Sequence, residues 1–276
     1  YVIHDRPGFL INLELYFPQV RTLNLRGNKL SLLEWRGLKK LSRLSSLSLN
    51  SKQNGAAIGL SGILQNLNFL EINSPPESPI EIGPHLETCQ VFLDKGHSLK
   101  DVLSFKKGSP KKIHVSGYGK LDLSMFQDVS SLEELSIGPN IKITNIFPKI
   151  TNLAMLTCRS PLSSSALTSI GNLPALENFN GNCQNLSGEN IRSWRHCQQL
   201  ISLDLSSANL GDNDLDELKN LKALEALKLP ATERVTITLL PLLKDLANLK
   251  KLGINGTAIP SKAISDQYEN LPLWSL

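Results

Sequence analysis

Residues 196–229 read HCQQLISLDLSSANLGDNDLDELKNLKALEALKL. The pattern Leu200-x-x-Leu203-x-Leu205 returns 24 residues later as Leu224-x-x-Leu227-x-Leu229. Leu203 and Leu205 are two apart. That spacing puts both side chains on one face of a strand and sends Ser202, Asp204 and Ser206 to the other. A polar turn follows, then Leu210, Leu215, Leu218 and Leu221. The last three recur every three residues, which suits one buried stripe on a short helix. One unit therefore reads strand, turn, short helix, turn.

The unit recurs along most of the chain. Other strong copies are Val20-Leu23-Leu25, Leu44-Leu47-Leu49, Leu132-Leu135-Ile137 and Leu249-Leu252-Ile254. Weaker copies are Leu67-Leu70-Ile72, Leu86-Cys89-Val91, Pro110-Ile113-Val115, Leu153-Leu156-Cys158 and Leu176-Phe179-Gly181. First anchors fall at 20, 44, 67, 86, 110, 132, 153, 176, 200, 224 and 249, so neighbours are 24, 23, 19, 24, 22, 21, 23, 24, 24 and 25 apart. One unit of this size cannot bury its own apolar face. A steady period of about 23 residues therefore predicts a stacked solenoid. Eleven parallel strands are expected on one side, with short helices or turns opposite.

On these eleven motifs the stretch 20–259 resembles the leucine-rich-repeat family. The resemblance implies an α/β horseshoe with strands on the concave face and helices or turns on the convex face. Members often carry Asn or Cys three residues after the third anchor, bonding the backbone of neighbouring turns. Here that place holds Asn28 and Asn140 but otherwise Lys52, Pro75, Asp94, Tyr118, Pro161, Gln184, Ala208, Thr232 and Thr257. A continuous Asn ladder is therefore not implied. Asn255-Gly256-Thr257 is similar to the Thr-bearing repeats of bacterial members. HCQQLISLDLS at 196–206 is similar to the Cys-bearing repeats of ubiquitin-ligase receptor subunits.

Three segments are expected: 1–19 as an N-terminal cap or remnant of an upstream region, 20–259 as the repeats, and 260–276 as a C-terminal capping helix and tail. The first holds Phe9, Leu10, Leu13, Leu15 and Phe17, apolar residues suited to covering an end repeat. In the last, Pro260 and Ser261 start a helix whose Ala263, Ile264, Gln267, Tyr268 and Leu271 share a face, and Pro272 stops it. Residues 73–119 are irregular, and Pro75, Pro76 and Pro79 favour extended chain over helix. That irregularity reads either as tolerated drift or as a binding feature. Beginning at Tyr1 rather than Met, the chain is expected to be a fragment or processed form.

The chain has 276 residues, 41% hydrophobic, with a formal net charge of +4. The densest basic cluster, Lys106, Lys107, Lys111 and Lys112, lacks interleaved aromatics, so no nucleic-acid groove is expected. No apolar run reaches the length of a membrane-spanning helix. Cys89 and Cys158 occupy inward anchors, and Cys183 and Cys197 lie in turns or strand approaches. All four read as free thiols in a reducing compartment, with a Cys183–Cys197 disulfide as the alternative. A cytoplasmic setting is expected, or the host cytosol for a delivered effector.

The sequence carries no phosphate loop, HExxH, GxSxG or Cys-x-x-Cys pair. His4, His85, His97, His114 and His196 are scattered over different units. His85 and Cys89 are four apart, but Cys89 should point into the core. No enzyme activity, metal or cofactor is expected within the chain.

What remains is surface. The outward strand positions are mostly small or polar, with Phe69, Phe92, Met155 and Arg159 as exceptions. Large aromatic side chains and Arg are what binding hot spots are made of. The alternative is that the Pro-rich segment covers Phe69 and Phe92. The expected partner site is Phe69, Glu71, Gln90, Phe92, His114, Met155 and Arg159. The expected function is protein–protein recognition by a monomeric scaffold, as in an effector of an intracellular bacterium engaging a host protein. The alternatives are a ubiquitin-ligase substrate receptor, or the substrate-recognition domain of an enzyme whose catalytic domain lies outside this chain.

Overall fold

The computed structural model describes residues 2–3, 9–25, 30–49, 66–76, 78–82, 85–105 and 110–267. Among the expected positions, His4, Asn28, Lys52, Lys106, Lys107, Tyr268, Leu271 and Pro272 lie outside these. The chain divides into two compact units, Tyr1–Thr144 and Asn145–Leu276.

In the first unit the main sheet runs β1 (Val2–Ile3), β2 (Thr22–Leu25), β3 (Ser46–Leu49), β4 (Phe69–Ile72), β6 (Thr88–Leu93), β8 (Lys112–Gly117), β10 (Glu134–Ile137). Every pairing is parallel. The repeats anchored at 20, 44, 67, 86, 110 and 132 each form the expected strand. β1 is additional. Its Val2–Ile3 carries no repeat motif, yet it pairs with Asn24 and Leu25 at the sheet edge.

Register aligns the apolar anchors into rows. Leu23, Leu47, Leu70, Cys89, Ile113 and Leu135 form one row, and Leu25, Leu49, Ile72, Val91, Val115 and Ile137 the next. Every member of both rows is 2% exposed or less. A clamp at the strand entries sets this register. The carbonyl of Arg21 accepts from the N–H of both Ser45 and Ser46, each at 2.9 Å. Ser45 does the same for Asn68 and Phe69, Asn68 for Glu87 and Thr88, Glu87 for Lys111 and Lys112, and Lys111 for Glu133 and Glu134. These are backbone groups, so the clamp survives side-chain changes at these positions other than to proline, which lacks the donor N–H.

The irregular stretch is extended on the side opposite the main strands. After Pro79, β5 (Ile80–Ile82) pairs in parallel with β7 (Leu103–Phe105). One repeat further on, β9 (Lys120–Asp122) pairs likewise with β11 (Lys142–Thr144). Ile80 and Ile82 are fully buried, so this segment closes the core as a strand where other repeats use a helix. Gly117 is required at the end of β8. Its φ is +101°, and a Cβ there would stand 2.2 Å from the carbonyl oxygen of Leu93 in the preceding repeat. Asn140 is exposed and turns the chain with a φ of 66°; it does not reach inward as a ladder residue.

The second unit repeats the design with helices. Its sheet runs β12 (Met155–Pro161), β13 (Asn178–Asn182), β14 (Ser202–Asp204), β15 (Ala226–Lys228), β16 (Lys251–Gly253), all parallel. Leu156, Phe179, Leu203, Leu227 and Leu252 are in register and buried. Ala154, Glu177, Ile201 and Glu225 supply the double-accepting carbonyls. Leu215, Leu218 and Leu221 are buried as expected, with a 3₁₀ turn over Asp216–Asn220 continuing the short α-helix Asp212–Leu215. Spacing by three fits three residues per turn, so the tighter helix keeps all three side chains on one line.

Side chains stitch one repeat to the next on the helical side of this unit. Trp194 is fully buried, lies edge-on to Phe179 at 5.6 Å, and donates its indole N–H to the Leu167 carbonyl at 2.7 Å. Asn190 is 3% exposed and spends its whole amide. Its oxygen accepts from the Ser187 N–H and hydroxyl, both at 2.9 Å. Its NH2 donates to the Ser164 carbonyl, the Ser164 hydroxyl and, at 2.8 Å, the Thr168 hydroxyl.

Leu203→Ala should lower unfolding free energy by about 2–5 kcal/mol, whereas Ser202→Ala should change it by no more than about 0.5 kcal/mol. Urea titration followed by circular dichroism reads both, and equal effects would refute the strand phase. Asn190→Ala should cost about 1–3 kcal/mol, because the Ser164, Ser187 and Thr168 groups it serves lose their partner. A neutral result in the same titration would mean that this network does not hold the helices together.

Candidate functional site

Alternation along each strand decides which side chains reach the open face of the sheet. In the first unit, β4 presents Phe69 and Glu71, β6 presents Gln90 and Phe92, and β8 presents His114. All five are half-buried, between fully buried neighbours. Register puts Glu71 opposite Gln90 and Gln90 opposite His114. Adjacent strands lie about 4.8 Å apart, so these three make a polar row about 10 Å long. Phe69 stands level with Thr88 on one side of the row, and Phe92 level with Ser116 on the other. The row therefore sits between two aromatic rings on neighbouring strands.

Glu134, at the start of the adjacent strand β10, organises the far end of this patch. Its carboxylate lies 3.3 Å from Lys112 Nζ and 3.8 Å from His114 Nε2. Lys111 pairs in the same way with Glu133 at 3.2 Å. The described half of the basic cluster is thus answered by carboxylates one repeat on. The signal for this was available, since Glu133–Glu134 follows Lys111–Lys112 by one period.

Met155 and Arg159 belong to the second unit, where both project from β12 and are exposed. Met155 is 41% exposed and borders a cavity of about 240 Å³ with Thr157, Asn178, Asn180, Asp204 and Lys228. At its far wall Asp204 and Lys228 pair at 3.1 Å. Burial works against the Asp204 carboxylate. Hydrogen bonds from the Ser206 hydroxyl and N–H, together with Lys228, outweigh that and hold its pKa below the usual range. Arg159 is not among the residues bordering this cavity. A larger hollow of about 800 Å³ opens on the helical side between Ser164–Asn172 and Glu189–His196. Several of its hydroxyls and amides serve the repeat-to-repeat bonds: Ser193 donates to the Thr168 carbonyl, Asn172 donates to the Phe147 carbonyl, and the Ser169 hydroxyl accepts from the Phe147 N–H.

Among the described residues, no three His, Cys, Asp or Glu side chains are grouped closely enough to hold a metal ion. No helix of the described residues is long and apolar enough to cross a membrane. Cys89, Cys158, Cys183 and Cys197 are free thiols and all are buried. Burial pushes each of them up to about 12, so the nucleophilic thiolate is scarce at neutral pH. The four thiols should react slowly with Ellman's reagent in the native protein and rapidly once it is unfolded. A fast-reacting thiol before unfolding would contradict this burial.

No protein-family model matches the sequence, and no curated protein matches it. Solved structures similar in fold include an internalin of Listeria monocytogenes, InlF, at 12% identity and a TM-score of 0.43, with 97% of this chain and 88% of that one covered. A leucine-rich-repeat protein of Leptospira interrogans aligns at 17% identity and 0.36, covering 99% and 93%. TLR13, solved in complex with an ssRNA, aligns at 17% and 0.46, and this chain spans 45% of its length against 91% of its own. What decides the fold is internal to the chain: the repeated Leu-x-x-Leu-x-Leu motif, parallel strands in register one period apart, and anchors stacked in buried rows. By these features the chain has a leucine-rich-repeat fold.

Proposed function

We propose that the chain is a recognition scaffold that binds a partner protein on the open face of its strands. The observation that carries this reading is the Glu71–Gln90–His114 row between Phe69 and Phe92. Elsewhere on the strand face the outward residues are mostly small and polar. Here two aromatic rings and three long polar side chains occupy adjacent strands. A partner would gain apolar contact area from the rings and orientation from the row. Met155 and Arg159 add an exposed apolar side chain and a planar donor fork suited to a carboxylate on the second unit. The strand face is free for this work because register and core are secured by the backbone clamp and the inward anchors.

The finer reading is an effector of an intracellular bacterium engaging a host protein. The Thr-bearing repeat supports it. At Asn255-Gly256-Thr257, Gly256 takes a φ of +74°, and the Thr257 hydroxyl donates to the Ile254 carbonyl at 2.7 Å while accepting from the Ile259 N–H.

A photo-crosslinking residue at position 92 or 159 of the full chain should capture the partner, and one at Thr168 on the helical side should not. With that partner in hand, Phe92→Ala and Arg159→Ala should each weaken binding by about 1–3 kcal/mol in calorimetry, without shifting the unfolding midpoint. Normal binding by both, with binding lost on Arg195→Ala on the helical side, would reject the strand face.

A further inference from the structure

We propose that Glu71 receives an arginine side chain of the protein partner. The inference rests on the strand-face reading and names the chemistry which that face would meet. Among the described strand residues, three carboxylates stand at outward positions of the main sheet: Glu71, Glu134 and Asp204. Two of them have a cation on the adjacent strand. Glu134 lies 3.3 Å from Lys112, and Asp204 lies 3.1 Å from Lys228. Glu71 has none. Its register neighbours are Ser48 on β3 and Gln90 on β6, and it makes no ion pair or hydrogen bond among the described residues. Glu71 is nevertheless half-buried. A carboxylate that gives up part of its water without gaining a cation or a donor is destabilised, and a partner's cation would relieve this.

The surroundings of Glu71 select the cation. Phe69 is two residues back on the same strand, and Phe92 stands diagonally across on β6, each about 7 Å from Glu71 along the sheet. Both rings are half-buried, so each keeps some surface for a ligand. That spacing lets a cation on Glu71 approach both rings, whose faces attract positive charge out to about 6 Å. Gln90 adds a carbonyl oxygen beside the carboxylate, and it too has no hydrogen bond among the described residues.

A guanidinium has donors enough for both acceptors. Two parallel N–H groups meet Glu71 and another meets Gln90. A lysine ammonium cannot make the planar two-point pair, and a quaternary ammonium has no N–H to donate. A bare metal ion would need more oxygen ligands than this pair provides. Phosphates are repelled: His114 aside, the two carboxylates Glu71 and Glu134 against the one Lys112 leave the face negative, although the chain as a whole carries +4.

Titration of the full chain with the peptide acetyl-Ala-Ala-Arg-Ala-Ala-amide, followed by NMR of the Phe69 and Phe92 rings, tests this. The arginine peptide should bind about tenfold or more tightly than its citrulline counterpart, which has the same shape and no charge. Glu71→Gln should remove that preference and leave the unfolding midpoint unchanged. Phe92→Ala should weaken binding of the arginine peptide by about threefold. Equal binding of the two peptides, or no binding of either, would overturn the proposal. So would a preference that survives Glu71→Gln and is lost in Glu134→Gln. The strand-face reading itself is decided by the crosslinking at positions 92 and 159, so the two can fail separately.

Discussion

A repeat of this length has an apolar face that it cannot cover itself, and everything else in the fold follows from that. Leu203 is buried because Phe179 and Leu227 lie in register on either side of it. Register is therefore the constraint that matters, since a slip of one residue would turn each anchor outward. The clamp at the strand entries enforces it. One carbonyl accepts two successive N–H groups of the next repeat, at Arg21, Ser45, Asn68, Glu87 and Lys111 in the first unit and at Ala154, Glu177, Ile201 and Glu225 in the second. Because the clamp is made of backbone, it is the same where the motif is strong and where it has decayed, as at Leu86-Cys89-Val91.

That division of labour leaves different freedoms on the two sides. On the helical side the chain must return over a variable distance, and each repeat solves the problem with its own side chains. Trp194 and Asn190 do so in one place, and the paired strands β5 and β7 replace a helix in another. On the strand side the outward residues carry almost no structural duty, and register lines them up in columns. A surface of that kind can change its chemistry without loss of stability. Here it concentrates Phe69, Glu71, Gln90, Phe92 and His114 on three adjacent strands.

Much of this was legible because the motif encodes a direction as well as a period. Anchors two apart state which face of the strand is buried, and a fixed spacing states which residues become neighbours. The row Glu71–Gln90–His114 follows from counting. Strand β1 does not, because Val2–Ile3 pairs through an open backbone edge and needs no motif. The choice between α and 3₁₀ turns at Asp212–Asn220 was only half legible, since spacing by three suits both when a helix is this short. On Leu15 the apolar pattern misleads: its composition suits a cap, yet it faces water while Leu10 and Leu13 are buried.

The sequence by itself determined the repeat, its strand phase, its buried rows and the columns of outward side chains, because each rests on periodicity, a property of the chain alone. Only the tertiary structure decided which charges cancel. Lys112 and His114 meet Glu134, and Lys228 meets Asp204, while Arg36, Lys39, Lys40 and Arg43 meet no carboxylate among the described residues. Ion pairing depends on where long side chains end, several bonds from the backbone. Periodicity places the Cα atoms, but the reach and direction of a lysine or a glutamate are settled only when the neighbouring repeat is in place.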